Sequence, residues 1–222
     1  LFETGARGRT LIVQTDISEE VGERERRVRT LNGLIEAIMT IVDQRDTRTG
    51  QRSRMLARVA ESLAREAGAG QDHREAARLA GTLMNLGKVL VPDDVLDRAG
   101  PLSADEKARI RASTFAVARL VSGLEFDAPV QTTLNQVHEH VDGSGEPEGL
   151  RGEQIILPAR TVAVANAFVG MITHRPDRTA LSIDDALDRL WADADQAFDR
   201  AIVGALVNLV KNRGLTDVLT DR

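Results

Sequence analysis

The stretch His138-Glu139-His140-Val141-Asp142-Gly143-Ser144-Gly145-Glu146-Pro147 decides how the rest of the chain is read. It sets imidazole and carboxylate groups beside a glycine-rich turn, between two helical patterns. That is the setting of a metal or phosphate site. Glycine permits the positive φ values that tight turns need, and the exposed amides of a turn can cradle an anion. His138, Glu139 and Asp142 admit two readings. Either they hold one divalent ion weakly, or His138 is a hydrogen-bonded part of the scaffold and Glu139 pairs with a basic residue.

On either side of this stretch the chain is helical. A helix is expected from about Ala128 to Val141, with Asp142 to Glu153 as loop. Pro158, at a helix start, opens a largely apolar helix to about Ile172. Ser182 caps a helix to about Trp191, and a last helix runs from about Gln196 to Asn212. Upstream, Ser103-Ala104-Asp105-Glu106 is a capping box that opens a helix to about Val121. Helices are also expected over about Arg52–Ala67 and His73–Leu86, the second ended by Gly87. Asp46 to Gly50 reads as a turn, and Pro92-Asp93-Asp94 begins a short piece. From Glu19 to about Asp43 the pattern is charged and helical. Val21, Val28, Leu31, Ile35, Ile38 and Val42 follow a heptad seam suited to dimerisation. The alternative is an amphipathic helix packed on its own domain. Thr10 to Thr15 is the only strand-like run. A lone strand is not stable by itself, so it belongs either to an upstream sheet or to a partner chain.

Composition agrees with packed helices. Of 222 residues, 42% are hydrophobic, yet there is no Tyr, 1 Trp and 5 Phe, so the core is aliphatic. The net charge of -5 argues against nucleic-acid binding, which needs a basic surface. The absence of Cys removes disulfides and thiolate metal sites. No apolar run is long enough to span a membrane, so direct membrane insertion is not expected. The first residues do not form a signal peptide, and without an initiator Met the chain is expected to be a piece of a longer protein.

Among the remaining polar residues, His73 and His174 read as surface histidines. Lys88, just after Gly87, is either a phosphate ligand or a helix C-terminal lysine that favours the dipole. Arg151, Arg160, Arg175 and Arg178 add positive charge around the expected cleft, and with Lys88 they are candidates for holding a phosphorylated ligand.

The stretch from His138 to Pro158 resembles the signature region of HD-GYP domains. These are all-helical members of the HD superfamily, and their active members hydrolyse the bacterial second messenger cyclic di-GMP at a two- or three-metal centre, usually with iron. The similarity runs from about Leu31 to Leu209. Asp46 to Ser53 looks like the opening motif, Leu83 to Pro92 the central one and Ala163 to Phe168 the late one. Arg175 to Arg178 and Phe198-Asp199 also match. The resemblance places the family's metal ligands on Arg52, Met84, Asn85, Ala112, Val137, His138 and Asn166, so His138 alone keeps its type. Glu146 stands where the family has tyrosine. Met, Ala and Val cannot replace imidazole or carboxylate around a hard cation, and a metal-activated water is then missing. Gly8 to Ser18 resembles the last strand and exit of a PAS sensory domain, from which a signalling helix leads onward.

The expected architecture is an all-α, HD-domain-like bundle with a short N-terminal strand and a long coiled-coil-like helix. Residues 1–18 would end a PAS-like domain, 19–45 form a signalling helix and 46–222 a degenerate HD-GYP domain. The expected function is a catalytically inactive, cytoplasmic, homodimeric output module without a cofactor, relaying a signal to an unidentified signalling partner. Not an enzyme, it would keep Asp142 to Gly145 and Pro147 as a scaffold turn. Two alternatives remain. One is a metal-independent receptor for cyclic di-GMP or another phosphorylated ligand, and the other is residual metal-dependent cyclic di-GMP hydrolysis.

Overall fold

The computed structural model describes residues 18–45, 47–87, 91, 103–174 and 179–215. The strand expected at Thr10 to Thr15 and the piece beginning at Pro92 lie outside them. The chain divides into two compact units, Leu1–Ile38 and Met39–Arg222.

The first unit consists, in its described part, of most of α1, Ser18–Arg45. Glu/Arg pairs at helical spacing support it, as Arg29 with Glu25 shows at 3.5 Å. Val21 and Val28 are 45% and 38% exposed. Leu31 and Ile38 are half-buried and Ile35 is buried, while the side chain of Val42 is outside the described set.

The second unit is all helical among its described residues. It contains α2 (Thr47–Glu66), α3 (Gln71–Leu83), α4 (Ala104–Leu120), α5 (Val130–Gln136), α6 (Leu157–Ile172), α7 (Ile183–Ala192) and α8 (Arg200–Asn212). α2 and α3 form an antiparallel hairpin around Gly68, which takes φ +77°. The two helices approach so closely that a Cβ on Gly81 would stand 3.0 Å from the Cα of Ala57. α6 packs against both, and α8 closes over α2 and α6. The core is aliphatic apart from Phe168, which is fully buried on α6, and α2 contributes Leu56 and Leu63 to it. α4 and α5 form a second pair, with α5 seated on α3 and α6.

Several expected boundaries shift. Thr47 to Gly50 is the first turn of α2 rather than a loop. A glycine in a helix costs only about 1 kcal/mol, which tertiary packing can override. α3 stops at Leu83, not Leu86. The segment expected to be helical to Val141 is helical only to Gln136. α8 begins at Arg200 instead of Gln196 because Asp199 caps it, accepting from the amides of Ala201 and Ile202. The Ser103 capping box is formed in full.

Candidate functional site

The signature stretch leaves α5 and is clamped from both ends. The Gln136 side-chain oxygen accepts from the Ile156 amide at 2.8 Å, tying the end of α5 to the entry of α6. Glu139, 3% exposed, accepts from the amides of Glu148 at 2.7 Å and Leu150 at 3.0 Å, one on each carboxylate oxygen. Among the described residues, Glu139 therefore spends its carboxylate on backbone N–H donors rather than on a basic side chain. A buried carboxylate needs such donors, and these two hold the loop in place.

Asp142 forms a turn of its own. Its Oδ1 accepts from the Ser144 amide at 2.8 Å. Its backbone forms an antiparallel bridge with Arg151. Hydrogen bonding from Ser144, through the side chain first and the backbone second, holds the Asp142 carboxyl below its ordinary pKa. Burial opposes the shift, and His140 and Arg151 add to it electrostatically. His140 Nδ1 lies 2.9 Å from the Ser144 hydroxyl. Gly143 has φ +81°, and a Cβ there would stand 2.6 Å from Nε of Arg151. A Cβ on Gly145 would lie 2.2 Å from the His140 backbone nitrogen. Gly145 is required by the close approach of backbone, and Gly143 by its backbone conformation.

α4 lies along the other side of the stretch. The Phe115 ring meets the half-buried His138 ring edge-on, with centroids 5.6 Å apart. One turn earlier, Arg111 Nε donates to the Glu146 carboxylate at 3.1 Å, while the Glu146 amide donates to the His138 carbonyl at 3.1 Å. Gly87 abuts α4: a Cβ on it would lie 2.1 Å from the Ser113 carbonyl oxygen. The end of the α3 segment, α4 and the signature turn therefore converge.

The other residues singled out from the sequence are spread over this region. Met84 and Asn85 are buried just past α3, and Asn85 Nδ2 makes no hydrogen bond among the described residues. Arg52 is half-buried on α2 beside the fully buried Ser53, Val137 is buried, and Asn166 is half-buried on α6. Ala112 is exposed on α4. Arg151 is exposed over Gly143, whereas Lys88, Arg175 and Arg178 lie outside the described residues. Pro147 is exposed next to Glu146. Arg160 is not a cleft cation: it pairs with Asp199 at 2.5 Å, and that same carboxylate caps α8. His73 and His174 are exposed. Sequence reasoning missed Arg111, Phe115 and Gln136. Their helical spacing was visible, but nothing local marked their partners.

The metal centre implied by the resemblance is not matched by the side chains in view. Among the described residues no group of three or more His, Asp or Glu is placed to hold an ion. Met84, Ala112 and Val137 offer no hard donor.

The HD-domain family profile matches residues 36–202. The cyclic di-GMP phosphodiesterase response regulator RpfG of Xanthomonas campestris pv. campestris is 35% identical over 190 residues, 85% of this chain and 49% of that protein. A 3'3'-cGAMP-specific phosphodiesterase 1 of Vibrio cholerae is 29% identical over 148 residues, 67% of this chain and 34% of that protein. The chain thus spans about half the length of the first relative and about a third of the second. In fold it is similar to an HDG"Y"P protein from Bdellovibrio bacteriovorus, with TM-score 0.62, 20% identity, and coverage of 87% of this chain and 68% of that one. These relatives overturn the expectation of a non-enzyme. Proteins this similar carry phosphodiesterase names, so the family points to an enzyme.

Proposed function

Because the chain belongs to the HD-domain family, we propose that it is the cyclic-dinucleotide domain of a bacterial signalling protein, with phosphodiester hydrolysis as the activity its family assigns. The observation that carries this reading is the 35% identity to a cyclic di-GMP phosphodiesterase over 85% of the chain. The site supports it with a braced signature turn flanked by the guanidinium groups of Arg111 and Arg151. Guanidinium groups bind phosphate oxygens in a bidentate manner. Residues 46–222 form the HD unit of this proposal. Residues 19–45 form a signalling helix that pairs with a second copy, and 1–18 end a PAS-like sensory domain. Val21 and Val28 support pairing, since both expose apolar surface on one seam. No helix among the described residues is long and apolar enough to cross a membrane, and we place the domain in the cytoplasm with a signalling protein as its further partner.

The test is incubation of the purified chain with cyclic di-GMP and with 3'3'-cGAMP, with ferrous or manganous ion added, following both binding and linear product. Binding with turnover supports the reading in full. Binding without turnover leaves recognition standing and removes hydrolysis. Neither binding nor turnover with either nucleotide refutes it.

A further inference from the structure

We propose that Arg111 is a phosphate-binding residue of this domain and that Glu146 is a built-in competitor occupying it. This inference rests on the reading of the chain as a cyclic-dinucleotide domain and adds the residue pair that tunes its affinity.

Glu146 has no local reason to bend toward α4. It is exposed, and its neighbours in the turn donate to Asp142 and Glu139 instead. Yet its carboxylate meets Arg111 Nε at 3.1 Å, 35 residues away in the chain. The contact is positioned from both sides. The Glu146 amide is held by the His138 carbonyl, and one turn along α4 from Arg111 the Phe115 ring is set against the His138 ring. The stretch of α4 that carries Arg111 is therefore set against the rim of the converged region, opposite Glu146.

The side chains of Arg111 and Glu146 are 34% and 59% exposed. A pair this open to water is held weakly, so an incoming anion can take over Arg111 without unfolding anything. A cyclic dinucleotide brings two phosphodiester anions. Arg151, exposed across Gly143 on the turn's other strand, is a second cation within the same loop system. The ligand trades a carboxylate–guanidinium contact for a phosphate–guanidinium contact of the same kind. Glu146 then moves into solvent, and the wild-type affinity carries the cost of displacing it.

The experiment is calorimetric titration of the full chain with cyclic di-GMP and 3'3'-cGAMP for wild type, E146Q, R111A and R111A/E146Q. E146Q removes the competing charge and should tighten binding about two- to fivefold, the size of an exposed ion pair. R111A should weaken it about tenfold or more, as expected for losing a charged hydrogen bond. The double variant should match R111A, because without the cation the competitor has nothing to block. R111K serves if R111A melts early. It should bind more weakly than wild type, having lost the bidentate fork. Binding by E146Q alone also supports the proposal. Wild-type binding that R111A and E146Q leave unchanged overturns it, while the cyclic-dinucleotide reading stands. Failure of both wild type and E146Q to bind either nucleotide overturns that reading and this inference with it.

Discussion

Glu139 ties the signature loop through both oxygens of a buried carboxylate. Replacing it with Gln keeps the shape of the side chain but turns one acceptor oxygen into an NH2 group facing an amide donor. One hydrogen bond to a charged group is lost and the other becomes neutral. Hydrogen bonds to charged groups are worth about 1.5–3 kcal/mol each, so Glu139→Gln should cost about 2–4 kcal/mol. Glu139→Ala removes both bonds and leaves a cavity, for about 3–5 kcal/mol. For a chain of this size each kcal/mol lowers Tm by about 2–4 °C. Thermal melts followed by far-UV circular dichroism should therefore show Glu139→Gln down by about 4–16 °C. Hydrogen exchange supplies the local readout. The Glu148 and Leu150 amides, which bond to this carboxylate at 2.7 and 3.0 Å, should exchange faster in the variant, ahead of the α2 and α6 amides. A melt unchanged within a degree or two, together with unprotected 148 and 150 amides in the wild type, would refute the clamp.

Gly145→Ala would place a Cβ 2.2 Å from a backbone nitrogen. It should cost about 2 kcal/mol or more, read as a lower urea midpoint, whereas Ala at the open position Gly22 should not destabilise. Asp142 supplies a pH dependence. Its folded pKa lies below the ordinary 3.8, so its contribution is present above the unfolded value and is lost as pH falls through the folded one. The urea midpoints of wild type and Asp142→Asn should accordingly differ at neutral pH and converge in acid, and parallel curves down to the lowest pH would contradict this. Val28→Asp should shift the chain from dimer to monomer in sedimentation velocity without lowering the melt of the helical unit. A monomeric wild type would end the pairing proposal.

What was legible in the sequence was what depends on near neighbours. The Ser103 box, the Ser182 cap and the proline near the start of α6 all act within one helical turn, and each is formed where its residues predicted. The helical class followed from periodicity, and the signature stretch marked the right place. What escaped was set across distance. α5 stops at Gln136 because Gln136 and Glu139 are claimed by amides at positions 156, 148 and 150. Those partners are backbone groups and leave no trace in side-chain identity. Arg160 looked like a cleft cation because its partner, Asp199, is 39 residues further on. The partner of Arg111, Glu146, is 35 residues further on and equally unmarked by local pattern. The expectation of a non-enzyme rested on single positions, whereas the family similarity runs through residues 36–202.

The most direct test of the account is a calorimetric titration of the purified chain with cyclic di-GMP and, in parallel, 3'3'-cGAMP. Saturable binding of at least one of them, weakened by salt as phosphate contacts require, is the predicted result. No heat of binding from either, with a chain shown by its melt to be folded, would contradict it.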